Sequence, residues 1–129
     1  MDILVPISVG ELLDKITILT IKCERLQDSN QLANVENELK LLEKARDMCL
    51  SSTDTVEHLS KQLKAVNVSL WEVENEIRNC ERNSDFGERF VELARSVYRY
   101  NDHRSAIKRE INLALGSTIV DEKSYTDYD

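Results

Sequence analysis

The sequence predicts an all-α protein, an antiparallel up-down bundle of three to four long helices, and three observations support this fold class. Three Gly and one Pro in 129 residues supply too few turn residues for a many-stranded β protein. Apolar residues recur at alternating steps of three and four, the spacing of amphipathic helices. Capping pairs of the Ser/Asp-x-x-Glu type precede apolar runs. At this length we expect a single domain over residues 1–129.

The first two helices are separated by a polar break. The first, at approximately residues 9–27, begins directly after Ser8, which forms a capping box with Glu11 in the first turn. Asp28-Ser29-Asn30 interrupts the apolar pattern, because short polar side chains compete for local backbone groups and favour caps and turns. The second helix is then expected at approximately residues 31–50. A true break there gives four helices, whereas a kink gives three.

The third helix, at approximately residues 55–83, has the most regular pattern in the chain. Asp54 and Glu57 repeat the capping pair at its start. Its apolar seam alternates strictly between three and four residues, which predicts coiled-coil-like packing. The seam consists of Val56, Leu59, Leu63, Val66, Leu70, Val73, Ile77 and Cys80.

The fourth helix, at approximately residues 86–115, also has chemical signals at both ends. Asp85 and Glu88 form a third capping pair, and Gly116 suits the left-handed residue that follows a helix C-terminus. Both signals lie at the limits of the apolar pattern, so they predict where this helix starts and stops.

Short β-like segments flank the helices. Residues 3–7 and 118–120 would lie at the same end of an up-down bundle, so they predict a small two-stranded ribbon. Residues 121–129 are acidic and poor in core residues, and we expect them to form a flexible tail.

Charge and composition exclude several classes of function. A formal net charge of −7 disfavours nucleic acid as a partner. The N-terminal residues lack the pattern of a signal peptide, and no uncharged stretch reaches the roughly 18 residues of a membrane span. These features predict a cytoplasmic protein without membrane association. The cysteines have no CxxC spacing and the histidines no His-x-x-x-His or Glu-x-x-His companion, so neither a metal site nor a cofactor is expected.

Polar side chains share helix faces beside the apolar seams. The third helix carries a polar stripe with spacings of four, three and four residues, consisting of Asn67, Trp71, Glu74 and Arg78. The fourth is the one helix with more basic than acidic residues, and Asn101 interrupts its seam. Together with cations of the first helix, these features predict a polar groove between the first, third and fourth helices that holds a small anion. The candidate binding residues are Lys15, Lys22, Asn67, Trp71, Glu74, Arg78, Arg95, Tyr98, Arg99, Asn101, Asp102, Arg104 and Lys108.

Catalysis has little support in the sequence. Glu11 and Asp14 lie one turn apart, as in Mg²⁺-dependent helical hydrolases, but no Glu-x-x-Glu pair accompanies them. The polar stripes also suit interhelical salt bridges that set the register of a long bundle.

A family resemblance covers nearly the whole chain. The sequence contains VGELLDKITIL at residues 9–19, NVSLWE at 67–72, LARSVY at 93–98, ND at 101–102 and EKSY at 122–125. With these strings it resembles a family of small all-helical bacterial and phage-associated domains of unknown function. The resemblance implies no activity, but it singles out polar residues within the helices, namely Asp14, Lys15, Lys22, Asn67, Trp71, Glu74, Arg78, Arg95, Tyr98, Asn101, Asp102, Arg104 and Lys108.

Two functions remain open at this point. The long apolar seam without a catalytic signature predicts a non-catalytic interaction or assembly module, which forms a homodimer or binds a protein partner. The alternative is a protein that binds a nucleotide-type or sugar-phosphate-type anion in the polar groove, as an enzyme or as a sensor.

Overall fold

The computed structural model describes residues 1–129 and contains four α-helices and no β-strand. The helices are α1 (Val9–Arg25), α2 (Ser29–Cys49), α3 (Asp54–Arg82) and α4 (Glu88–Ala114). The predicted all-α fold class is confirmed. The polar break is real, because Leu26 is extended and Asp28 caps α2 by accepting a hydrogen bond from the Gln31 amide at 2.9 Å.

The core is built by three of the four helices. Helix α1 packs against the other three, whereas α2 packs against α1 alone. No residue of α2 is buried, and it contributes only partly buried leucines such as Leu39 and Leu42. The main cluster of buried apolar residues consists of Leu13, Ile16, Val56, Leu59, Leu63, Val66, Ile107 and Ile111. The bundle is therefore a core of α1, α3 and α4 with α2 added on the side of α1.

Helices α3 and α4 extend beyond the end of α1 as a two-helix arm, residues 73–98. Helix α3 has 29 residues and α1 has 17, which correspond to lengths of about 43 and 25 Å. The buried residues of α3 lie in its first half as far as Asn67, and Cys80 is the one buried residue beyond it. A step is therefore left at the point where α1 ends against the middle of the longer helices.

The helix starts differ from the predicted caps at α3 and α4. At α3 the N-cap is Thr53 rather than Asp54, because the Thr53 hydroxyl accepts from the Val56 amide at 3.2 Å. At α4 the N-cap is Gly87 and has no side-chain hydrogen bond. Asp85 does not cap α4, because it lies in the turn between the two helices. Its amide donates to the Cys80 carbonyl at 2.8 Å and completes the C-terminal turn of α3.

The predicted terminal ribbon is wrong. Residues 1–7 have no regular secondary structure and are exposed, and beyond Gly116 the chain turns back along α4 rather than towards them. A lone two-stranded ribbon is marginal in water, whereas the helix ends themselves pack closely. The Gly10 amide donates to Asn112 Oδ1 at 2.7 Å, and the Val9 amide donates to Ser117 Oγ at 3.4 Å.

Candidate functional site

A buried carboxylate links the three core helices. Asp14 on α1 is 0% exposed. It accepts from Arg104 Nε on α4 at 2.9 Å, and a terminal guanidinium nitrogen of Arg104 donates to its second oxygen. Asn67 Nδ2 on α3 donates to Asp14 Oδ1 and to Thr17 Oγ1, both at 2.9 Å. One buried anion therefore fixes the relative positions of α1, α3 and α4.

Arg104 stays charged in its ion pair with Asp14. A buried charge is tolerated only when it is paired and hydrogen-bonded, and the two-point contact with Asp14 meets both conditions. The hydrogen bond to Asp14 raises the pKa of Arg104 and outweighs the partial burial that lowers it. Arg104 is thus a cation whose orientation is fixed by its neighbours.

A second ion-pair cluster lies closer to the start of α1. Lys108 Nζ is 2.6 Å from Glu11 Oε2 and 3.1 Å from Asp121 Oδ2. Burial lowers the pKa of Lys108, but the hydrogen bonds to Glu11 and Asp121 and the negative charges of these two carboxylates together raise it by more, and the net shift is upward. The Glu11 side chain is therefore bound to α4, in place of the predicted capping contact with Ser8.

A cleft of about 600 Å³ opens at the step where α1 ends. Its wall includes apolar side chains from α1 and α3, amides from α3 and α4, and charged groups from all three helices. The lining residues are Ile18, Ile21, Lys22, Asn67, Leu70, Trp71, Glu74, Asn75, Arg78, Asn101 and Arg104. The cleft thus combines an apolar floor with several hydrogen-bond donors, which is the usual composition of a small-molecule site.

Lys22 differs from the other cations of α1. Lys15 lies 3.9 Å from Glu38 of α2, and Arg25 lies 3.5 Å from Glu72 of α3. Lys22 is half-buried in the cleft wall and has neither a salt bridge nor a side-chain hydrogen bond. Arg78 in the same wall is neutralised by Glu74. The cleft therefore contains an ammonium group whose charge no carboxylate compensates.

The structure brings together seven of the thirteen residues singled out from the sequence. These seven line the cleft and are Lys22, Asn67, Trp71, Glu74, Arg78, Asn101 and Arg104. Lys15 faces α2 and Arg95 pairs with Glu92 on the arm. Lys108 belongs to the second ion-pair cluster. Whether the seven residues bind a ligand stays a prediction.

Three further predicted residues contact the C-terminal segment, residues 117–129, instead of the cleft. Asp102 accepts from the Tyr128 hydroxyl at 2.7 Å, Tyr98 packs edge-on against the Tyr128 ring, and Arg99 lies over that ring. In the structure the segment therefore follows α4, and its flexibility in solution stays a prediction. The hydrogen bond to Asp102 raises the pKa of Tyr128.

Sequence reasoning missed several members of these groups. Asn75 lies four residues after Trp71 on the same stripe, so its spacing could have identified it. Thr17 lies one turn after Asp14 and could have been found in the same way. Asp121 gives no such signal, because only the return of the chain along α4 brings it to Lys108.

Comparison with known proteins gives a family but no activity. Residues 3–128 match the family of unknown function DUF6165. No curated protein and no solved structure matches the chain.

No group of three or more His, Cys, Asp or Glu side chains is placed to hold a metal ion. None of the four helices combines the length and the apolar character required to cross a membrane.

Proposed function

The chain belongs to DUF6165, a family of unknown function, and we propose from the geometry of the structure that it binds a small organic anion in the cleft between α1, α3 and α4. The observation that carries this proposal is Lys22, a half-buried lysine in the cleft wall whose ammonium group has no carboxylate partner. A cation that has no partner within the protein is free to form a charge-assisted hydrogen bond with a bound anion. A bound carboxylate or phosphate supplies that anion.

The rest of the wall narrows the class of ligand. Trp71 and Leu70 offer apolar side chains against which a flat ring can pack, and Asn75 and Asn101 offer amide donors and acceptors. A volume of about 600 Å³ lies within the usual range for sites of small organic molecules. The features suit a molecule with one anionic group and one flat or apolar part, such as a nucleotide or a sugar phosphate.

Arg104 is prepared for binding before the ligand arrives. Its guanidinium is already oriented by Asp14, which is itself held by Asn67. Side-chain ordering is one of the main costs of association, and here the folded protein has met that cost. This supports a binding role in addition to the structural role of the ion pair.

The test uses Trp71, the only tryptophan of the chain, as a reporter within the cleft. Nucleoside monophosphates, sugar phosphates and aromatic carboxylates are titrated while Trp71 fluorescence and the melting temperature are recorded, with inorganic phosphate as the reference anion. A ligand that binds the native state raises the melting temperature in proportion to its occupancy. Lys22→Met is expected to weaken binding about tenfold or more, which corresponds to the loss of one charge-assisted contact.

Lys15→Met is the matched control, because Lys15 lies on the same helix but pairs with Glu38 of α2. It should leave the affinity unchanged. The proposal fails if no anion of the panel alters Trp71 fluorescence or the melting temperature. It also fails if the two lysine variants lose affinity equally, since the effect would then reflect overall charge.

Self-association through the arm is a second candidate function, and the exposed apolar side chains there favour it. Phe86 is 53% exposed, Val91 48% and Tyr98 41%. Apolar side chains that are grouped on an exposed surface mark interaction sites. Light scattering over a range of concentrations should show a dimer that Val91→Asp converts to a monomer. Leu41→Asp, at a site 51% exposed on α2, should leave the dimer intact. A monomer at all concentrations would contradict this candidate.

A further inference from the structure

The C-terminal segment is attached to α4 by three ion pairs. Glu122 lies 2.7 Å from Arg109, Asp121 lies 3.1 Å from Lys108 and Asp129 lies 4.0 Å from Arg99. The positions on α4 run from its end back towards its middle as the segment proceeds. The segment therefore lies antiparallel to α4, and its acidic side chains face a basic side of that helix.

The end of the segment is held by an aromatic contact. The Tyr128 ring packs against Tyr98 with centroids 5.0 Å apart, and the Arg99 guanidinium lies 4.9 Å from the Tyr128 centroid. The Tyr128 hydroxyl donates to Asp102 Oδ2 at 2.7 Å. This side of α4, formed by Tyr98, Arg99, Asp102, Lys108 and Arg109, is called the docking face below. It recognises a tyrosine side chain by its ring and by its hydroxyl.

Most of these contacts are superficial, and the exception is the Asp121–Lys108 ion pair, whose side chains are 34% and 14% exposed. The side chains of Glu122 and Asp129 are 76% and 85% exposed in their ion pairs. Exposed ion pairs of this kind contribute little individually and are weakened by salt. The segment forms no helix or strand and buries no core residue. A peptide of similar chemistry can therefore displace it without unfolding the bundle.

We propose that the docking face binds an extended, acidic, tyrosine-bearing peptide segment of a partner protein, and that the chain's own C-terminal segment is its internal competitor. Asp102 favours a peptide over a bare polyanion, because its carboxylate accepts from a tyrosine hydroxyl but repels phosphate groups. The net charge of −7 also opposes nucleic acid. The docking face shares no residue with the cleft wall, so this site is independent of the proposed anion site.

Competition within one chain has a measurable consequence. A tethered segment acts at an effective concentration in the millimolar range when its connection is short. An external peptide then binds only the fraction of molecules whose docking face is open. Weakening the internal segment should therefore tighten the binding of an external peptide.

The probe is a fluorescein-labelled peptide with the sequence of residues 119–129, titrated by fluorescence anisotropy against two full-length proteins. One is the natural chain and the other carries Glu122→Gln, Tyr128→Ala and Asp129→Asn, all at exposed side chains. The substituted protein is expected to bind the peptide at least fivefold more tightly, and added salt should weaken both interactions. An unchanged melting temperature verifies that the substituted protein is folded.

Two control proteins locate the binding. Adding Arg99→Gln and Arg109→Gln to the substituted protein should abolish peptide binding, whereas adding Lys22→Met should not alter it. Unaltered peptide binding after Lys22→Met would show that the peptide does not use the cleft. Failure of one proposal therefore does not imply failure of the other. A probe with alanine at the position of Tyr128 should bind at least fivefold more weakly than the probe with the natural sequence.

Several outcomes would overturn the proposal. Equal affinity of the natural and the substituted chain would show that the segment does not compete. Tighter binding of a single-stranded oligonucleotide than of the peptide would assign a general polyanion site. A dimer of the natural chain that Tyr128→Ala dissociates would assign the docking face to a second copy of this chain rather than to a partner protein.

Discussion

Replacing Arg104 with methionine is expected to lower the free energy of unfolding by about 3–5 kcal/mol, the usual cost of breaking a buried ion pair from one side. Asp14 is 0% exposed and would keep only Asn67 as a side-chain donor. Its carboxylate would remain inside the bundle without a cation. Urea denaturation followed by circular dichroism measures the change, and the slope against urea should stay constant if both states keep their compactness.

The control for this prediction is Arg78→Met. Arg78 is 71% exposed and pairs with Glu74 one turn away, so its loss should cost less than about 0.5 kcal/mol. A double variant, Asp14→Leu with Arg104→Met, should recover part of the loss because it removes the unpaired charge. Equal costs for Arg104→Met and Arg78→Met would contradict the buried ion pair.

Comparison of Arg104→Met with Lys22→Met separates structural from binding roles within the cleft. Arg104 serves both the Asp14 ion pair and the cleft wall, so its removal should lower stability and ligand affinity together. Lys22 has no partner within the protein, and its removal should lower affinity alone. If the cleft is a binding site, Arg104→Met should therefore lower both stability and affinity, whereas Lys22→Met should lower affinity only.

The helices could be predicted because most of their signals are local. Ser8 caps α1 by accepting from the Glu11 amide at 3.0 Å, and Gly116 adopts a φ of +66° after α4. The start of α3 differs from the predicted one by one residue, because Thr53 and Asp54 are both good caps. Sequence alone does not show which of the two reaches the Val56 amide.

The cleft was only partly predictable, because spacing identifies a helix face but not what lies opposite it. Lys15 and Lys22 are seven residues apart and share a face of α1 by their periodicity. Helix α2 supplies Glu38 to the first lysine, and the second lines the cleft beyond it. The return of Asp121 to Lys108 depends on the path of the chain after Gly116, which no local pattern encodes.

Gly10→Ala is expected to lower the free energy of unfolding by about 3 kcal/mol, although alanine normally stabilises a helix by about 1 kcal/mol relative to glycine. A β-carbon at Gly10 would lie 2.6 Å from the Lys108 carbonyl oxygen and 2.9 Å from Asn112 Oδ1. Helices α1 and α4 would have to separate at this crossing, which would strain the hydrogen bond from the Gly10 amide to Asn112. The measurement is again urea denaturation, with Gly87→Ala as the control. The nearest atom to a β-carbon at Gly87 lies 3.5 Å away, and the change there should stay within about 1 kcal/mol.

The sign of the Gly10→Ala effect tests the close approach of α1 and α4 directly. A gain in stability would mean that Gly10 lies on an open helix face, and the contact between α1 and α4 would then be wrong. A second substitution distinguishes the two clashing atoms. Asn112→Ala removes the side-chain oxygen but leaves the Lys108 carbonyl, which belongs to the backbone of α4 and cannot move alone. Adding Asn112→Ala should therefore fail to rescue Gly10→Ala, because the shorter of the two contacts persists.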